Sequence, residues 1–387
     1  MPKLQSRLPQ IKDYPAHLDK MWDKHIQPRE DDAPTVISLF AGCGGSSLGY
    51  SMAGYKELLA VEWDNNAVET FKLNFPDVPI HHGDICNLSV DEVLKITGLK
   101  PGELDILDGS PPCQGFSTAG KRSFDDSRNQ LFKEYIRLLR GLQPKVFVME
   151  NVSGMVKGKM KLIFVEILKE LKASGYQVSA RLMNTMWFGV PQSRQRLIFI
   201  GIRNDLGSEP AHPGAQFIPI PIKQVLPGCI AIKGQSINPW IDENRPAPTI
   251  PKTNFGYECK RDNSFTLPKS YKEWSSKVKP GQSVGKIHPK GFGFNMVKLD
   301  NEKPSVTLTK THTPAVGLLH PLEDRFLSIP EVMRISAFPD PFQFPIQTTA
   351  LKTRMKAWGL MGNSVPPLFM EAIARHIKTN YLDKLDA

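Results

Sequence analysis

Four side chains in this sequence have the types and settings for nucleophilic chemistry. Cys113 stands in Gly109-Ser-Pro-Pro-Cys-Gln-Gly-Phe-Ser117, where two prolines stiffen the approach and Gln-Gly follows. A lone cysteine is most often a small buried hydrophobe, but this one has little helix or strand to be buried in. Its thiol becomes a useful nucleophile only as a thiolate, and a free thiol ionises near about pH 8.5, so cations must assist at neutral pH. Gln192-Ser-Arg-Gln-Arg196 supplies two guanidiniums, Arg194 and Arg196, which share a face if that segment is extended. Glu150 follows the apolar run Lys145-Val-Phe-Val-Met149 and adds a carboxylate.

A second group of residues suits a nucleotide-like ligand. Ile37-Ser-Leu-Phe-Ala-Gly-Cys-Gly-Gly-Ser-Ser-Leu-Gly49 reads as a strand, a glycine-rich turn and a helix, which lets backbone approach such a ligand through Phe40, Ala41, Gly42, Cys43 and Gly45. After Gly42 and Gly44, the third glycine of a dinucleotide fingerprint is replaced by Ser47, which weakens an NAD reading. Glu62 closes the next strand, where its carboxylate suits two ribose hydroxyls, and Trp63 beside it suits stacking on adenine. Asp84, in Gly83-Asp84-Ile85, suits the adenine amino group, with Ile85 against the ring. Taken singly, each acid is more often a solvated strand end, but three strand ends in sequence argue for a pocket.

The elements that must position these groups alternate strand and helix from about residue 34, the pattern of a parallel sheet with crossover helices. Strands are expected at Val36–Phe40, Leu58–Val61, Leu104–Leu107, Lys145–Met149, Val178–Met183 and Leu197–Ile202, and helices at Asn129–Leu142 and Lys159–Lys172. After about Arg203, Pro and Gly become frequent and helical periodicity fades, so a domain boundary is expected there. A last helix, roughly Pro366–Asn380, is expected to pack back on the first domain. The reading is therefore an α/β, Rossmann-like catalytic domain over 34–202 and a smaller, mostly β or irregular domain over 203–327. Residues 328–387 return to the first domain, and residues 1–33 form an extension that reads as a solvated tail or short helix.

With 387 residues the chain can hold two cores, and its 40% hydrophobic and 23% charged residues are those of a soluble globular protein. Apolar runs fall far short of the roughly 20 residues of a membrane helix, and the N-terminus has no secretory signal, so a cytoplasmic location is expected. The five cysteines, Cys43, Cys86, Cys113, Cys229 and Cys259, contain no C-x-x-C pair, which argues against disulfides and against a zinc site. A net charge of +10 points to a polyanionic partner. Between Lys252 and Lys298, ten Lys or Arg face three acids, interleaved with Phe255, Tyr257, Phe265, Tyr271, Trp274, Phe292 and Phe294. That pattern suits a nucleic-acid surface, although some of these rings must form the small domain's own core.

Taken together, these motifs resemble the DNA (cytosine-5) methyltransferases, the family typified by bacterial restriction-modification enzymes. The resemblance runs in order from Ile37 to about Ile377: Phe-Ala-Gly-x-Gly-Gly at 40–45, Glu-Trp at 62–63, Gly-Asp-Ile at 83–85, and Pro-Pro-Cys-Gln-Gly-Phe-Ser at 111–117. It continues through Arg128-Asn-Gln-Leu-Phe132, Glu-Asn-Val at 150–152, Gly-Val-Pro-Gln-x-Arg-x-Arg at 189–196, and Gly-Asn-Ser-Val-Pro-Pro at 362–367. It implies S-adenosylmethionine as cofactor, no metal, and a binding site that adds Pro112, Leu131, Asn363, Ser364 and Val365 to the residues above. It also implies Cys113 as nucleophile on carbon 6 of cytosine, Glu150 on N3 and the exocyclic amine, Arg194 on the carbonyl oxygen, and Arg196 in support. The target base must be flipped out of double-stranded DNA, since these atoms are not reachable inside a duplex.

In such enzymes a Thr followed by an aliphatic residue marks the recognition element, and both Thr249-Ile250 and Thr307-Leu308 fit. The resemblance further implies a monomer, with a cognate restriction endonuclease as a possible partner on the same site. Two departures stand out: Ser38 where the family pattern carries Asp, and Arg334-Ile-Ser-Ala-Phe-Pro339 where Arg-Leu-Gln-x-Phe-Pro is usual. Three rival readings fit the residues less well. A tRNA cytosine-5 methyltransferase is disfavoured because its relatives' Cys-Phe-Thr tripeptide is absent. A non-catalytic DNA-binding regulator is disfavoured by the intact reactive residues, and an NAD-dependent dehydrogenase offers no role for Pro-Pro-Cys.

Overall fold

The computed structural model describes residues 8–112, 130–158, 160–226, 267, 269–293, 295–311, 316–344 and 351–385. Cys113, Thr249 and Ile250 lie outside them. The first element among the described residues is helix α1 (Tyr14–Ile26), whose first turn is capped by the Asp13 carboxylate accepting from Ala16 N–H at 3.0 Å. Tyr14, Leu18 and Met21 on its inner face belong to the main core, and Tyr14 donates to the Arg334 carbonyl. Part of the N-terminal extension is thus integral to the body rather than a solvated tail.

The central sheet has seven strands: β1 (Thr35–Leu39), β2 (Lys56–Glu62), β3 (Ile80–His82), β4 (Ile106–Gly109), β5 (Val146–Val152), β6 (Tyr176–Asn184) and β7 (Gln195–Arg203). Their order is β3-β2-β1-β4-β5-β7-β6. Strands β1 to β5 pair in parallel, joined by helices α2 (Gly45–Met52), α3 (Asn65–Asn74), α4 (Val90–Thr97) and α5 (Gln130–Leu142). Helix α6 (Met160–Ala173) follows β5. The strands read as nearly unbroken apolar runs because both faces are covered, and the two faces close over separate hydrophobic clusters.

One expectation needs correction. The sheet is mixed, because β7 runs antiparallel to both β5 and β6. The connection from β6 to β7 spans only residues 185–194, too short for the crossover that a parallel neighbour would demand.

Beyond β7 the described parts of the second region comprise helix α7 (Lys269–Lys277) and the short parallel pair β8 (Met296–Lys298) and β9 (Gly317–Leu319). They enclose a small core of Leu267, Val278, Val284, Met296, Leu319 and Phe326. Ile220, Ile222, Leu299 and Leu308 instead pack into the main core, so this region is anchored at both of its ends. Helix α8 (Ile329–Ile335) starts with a capping box between Ser328 and Glu331. Helices α9 (Leu351–Asn363) and α10 (Pro367–Ile377) follow, the latter running on into a π-helical turn (Lys378–Leu382) and a last short helix (Asp383–Leu385), and α10 packs along α2.

Candidate active site

In the sheet order, β1 and β4 are the neighbours from which the chain winds outward in opposite directions. Ligands of open α/β sheets bind at such a switch point, outside the carboxyl ends of the strands. The turn after β1 and the Pro-Pro segment after β4 both emerge there.

The turn after β1 is held in an unusual conformation by short-range contacts. Phe40 adopts a left-handed φ of 57°, as do Gly42 at 57° and Gly44 at 91°. Ala41 N–H donates to Val61 O at 3.0 Å, and Gly42 N–H to Glu62 Oε2 at 2.7 Å. The other Glu62 oxygen accepts from Trp63 N–H and Asp64 N–H, both at 2.9 Å. Glu62 is therefore a buried brace that shapes the turn from the adjacent strand end. Gly45 must be glycine because a Cβ there would lie 1.9 Å from Ser364 Oγ and 2.4 Å from Val365 O. Ser364 and Val365 of the late segment thus lie directly against the turn.

Trp63 leaves 78% of its surface exposed beside this turn, an open platform for a flat ring. Asp84 is exposed and accepts from Cys86 N–H at 3.0 Å, which holds its carboxyl below the usual range, while Ile85 is buried beneath. Leu131, at the start of α5, is half-buried, and Pro112 is exposed at the end of the segment leaving β4. Neither described cysteine suits a nucleophile: burial pushes the Cys43 thiol up to about 12, and burial with Asp84 pushes Cys86 up to about 11.

On the other side of the switch point, Glu150 Oε1 meets Arg196 Nε at 2.7 Å. Both side chains are largely buried, and the register Val152↔Arg196 between β5 and β7 sets them diagonally across the ladder. Asn151 donates from Nδ2 to Pro111 O at 3.2 Å, which ties the Pro-Pro segment to β5.

Arg194 goes elsewhere. It is 2% exposed, and its guanidinium donates to Leu308 O at 2.9 Å, Gly362 O at 2.9 Å and Ser364 O at 3.1 Å. Burial first, and then the charge of Arg196, lowers its guanidinium to about 9. Among the described contacts Arg196, rather than Arg194, is therefore the arginine beside Glu150. Thr307 donates to Ser193 O at 2.8 Å, and Leu308 N–H donates to Gln192 Oε1 at 3.1 Å. Gln192, buried, also donates to Ile335 O. Sequence reasoning gave Asn151 and Gln192 no part. The only available signal was their place inside motifs, because their partners lie 40 to 143 residues away.

Among the described residues no cluster of His, Cys, Asp and Glu could hold a metal ion, and no helix is long and apolar enough to cross a membrane.

This sheet order, with a glycine turn and a reactive segment on adjacent strand ends, defines a Rossmann-like methyltransferase domain. The chain belongs to the C-5 cytosine-specific DNA methylase family, whose model matches residues 34–379. It is 33% identical over 350 residues to the Type II methyltransferase M1.HphI of Haemophilus parahaemolyticus, covering 89% of this chain and 86% of that protein. It is 31% identical over 376 residues to the Type II methyltransferase M.DdeI of Desulfomicrobium norvegicum, covering 88% of each. A prophage-encoded E. coli protein described as a DNA modification methyltransferase superposes with a TM-score of 0.69 at 27% identity, covering 91% of this chain and all (100%) of that one. The chain is a DNA cytosine methyltransferase.

Proposed function

We propose that this enzyme methylates carbon 5 of a flipped-out cytosine within a specific double-stranded sequence, with S-adenosylmethionine as donor. The observation that carries this reading is the Glu150–Arg196 pair, set beside the Pro-Pro segment that leads into Cys113 and one strand further from the glycine turn. The donor fits this turn: Gly42, where a Cβ would meet nothing within 4 Å, leaves the backbone open, the exposed Trp63 offers a stacking face, and Asp84 an acceptor. Bound there, S-adenosylmethionine supplies an electrophilic methyl group.

Carbon 5 of cytosine is too weak a nucleophile to react unaided. The Cys113 thiolate adds to carbon 6, which makes carbon 5 enamine-like. Glu150 hydrogen-bonds N3 and the exocyclic amine, where charge develops as the thiolate adds. Arg196, held on Glu150, is the guanidinium for the cytosine carbonyl oxygen, and Arg194 supports from behind through its backbone contacts. A base then removes the carbon 5 proton and Cys113 leaves, which restores both the ring and the free thiol.

Residues 203–327 act as the recognition domain, with Thr307-Leu308 as the element favoured by its contacts to Gln192 and Ser193. A restriction endonuclease of the same specificity is the natural partner, since the relatives carry Type II names.

Transfer of labelled methyl groups to duplex DNA tests the nucleophile. Cys113→Ser should lose turnover while it still binds S-adenosylmethionine, and incorporation at the wild-type rate would sink the assignment. Bisulfite sequencing of DNA from a methylation-free host expressing the enzyme should show protection at one short recurring sequence. Protection scattered without sequence would refute the recognition reading.

A further inference from the structure

Two carboxyl groups under the glycine turn take no part in that chemistry. Asp108 on β4 is 2% exposed. Glu57 on β2 is half-buried as a residue, but its carboxyl end turns inward, and Oε2 is sealed from solvent without a hydrogen-bond partner. Most of the groups that face them are hydroxyls of helix α2, although Ser38 on β1 also lies against the Glu57 carboxyl. Tyr50 donates to Asp108 Oδ1 at 3.2 Å, with Ser46 also bonding to this carboxyl, and Ser47 donates to Glu57 Oε1 at 2.9 Å.

All three hydroxyls hang from the helix that the glycine turn launches, which begins at Gly45. Asp108 itself stands one residue before the end of the strand that feeds the Pro-Pro segment, and it pairs across the ladder with Ser38 on β1. Its carboxyl group is thus the polar link between the donor side and the reactive side of the switch point. An apolar pair of similar volume would be cheaper to bury. What a carboxyl–hydroxyl contact adds is direction, and methyl transfer is unforgiving of misalignment: a shift of about 1 Å can cost about a hundredfold in rate.

We propose that Asp108 is a positioning residue for methyl transfer, fixing the depth of helix α2 and its glycine turn against the strand that delivers the reactive segment. The inference rests on the reading of that turn as the donor site.

The link has a pH signature. Burial first, then the charges of Glu57 and Glu150, push the Asp108 carboxyl up to about 8, and burial pushes Glu57 up to about 7. The titratable groups facing Asp108 are Tyr50 on α2, Glu57 on β2, Glu150 on β5 and Tyr135 on α5. A folded value above the unfolded one means that the folded protein holds the proton more tightly. The stability contributed is complete below the unfolded value of about 4 and is lost as pH rises through about 8.

Calorimetric titration of the full-length protein with S-adenosylmethionine, from about pH 6 to about pH 9, reads this directly. Wild-type affinity should fall by about tenfold toward the alkaline end, one unit of differential proton binding. Asp108→Asn keeps an acceptor for Tyr50 but cannot ionise, so it should match the wild type near neutrality and lose most of the alkaline decline. Asp108→Leu should raise the cofactor KM by about tenfold and lower kcat without lowering Tm, a split that a purely structural role would not produce. Should Asp108→Leu fail to fold, the Asp108→Asn pH profile still decides. Parallel pH profiles for wild type and Asp108→Asn, or a folded Asp108→Leu with unchanged kcat and KM, would overturn the proposal alone. A wild type that binds no S-adenosylmethionine at any pH would bring down the donor-site reading and this inference with it.

Discussion

The two flanks of the switch point are built in different ways. The donor flank is local: Glu62 braces a turn 20 residues away and its own two successors, Asp64 caps α3 from the preceding residue, and Asp84 accepts from Cys86. The base flank is assembled over long separations. Arg194 reaches Leu308, Gly362 and Ser364 across 114, 168 and 170 residues, and Gln192 reaches Leu308 and Ile335 across 116 and 143. A flank braced mainly by local contacts takes shape as its strands pair, even though Ser364 and Val365 later close against Gly45. One held by distant carbonyls exists only when the region after β7 and the C-terminal helices have docked. The enzyme thereby makes base-side geometry depend on the region that we propose reads the DNA.

The sharpest way to break this contrast is Arg194→Ala. It strands two buried carbonyls and a third that is part-buried and leaves a void, so stability should fall by about 3 kcal/mol or more in denaturant titration, with methylation lost along with the docking. Next is Gly45→Ala, which drives a methyl group into Ser364 Oγ and Val365 O, where the two flanks touch. Overpacking of this kind costs about 1–3 kcal/mol, and the cofactor KM should rise while DNA affinity in a gel-shift titration stays near that of the wild type. The smallest effect belongs to Asp64→Ala. It removes one N-cap, accepting from Asn66 and Ala67 N–H, and should cost about 1 kcal/mol in thermal unfolding with little change in kcat. If Asp64→Ala proved as damaging as Arg194→Ala, the division into local and long-range flanks would be wrong.

Much of the donor flank was legible in the sequence because its signals are short-range. Glycines at positive φ, an acid at the end of a strand, and an acid capping the next turn are patterns that chemistry places close together in the chain. The strand expected at Val36–Phe40 is β1 at Thr35–Leu39, with Phe40 already in the left-handed turn. The helix expected at Asn129–Leu142 is α5 from Gln130. Strand direction was not legible, since an apolar run such as Leu197-Ile-Phe-Ile reads the same whether its neighbour is parallel or antiparallel. Strand β3, with three residues, is too short to give a periodic signal of its own.

The sequence by itself determined the groups on offer: a thiol after two prolines, a carboxylate and two arginines near strand ends, and a glycine-rich turn that we propose takes the donor. The family resemblance put Arg194 on the base with Arg196 in support, but the residues alone do not separate two arginines two positions apart, since what separates them is which distant groups come near. Tertiary structure made that choice by burying Arg194 among backbone carbonyls and leaving Arg196 on Glu150. It likewise turned Asp108 from an unremarked strand residue into a buried link between the two flanks. The physical reason is the same in both cases. Desolvation and hydrogen-bond partners belong to the place where a side chain is finally packed, and the chain's local order does not record them.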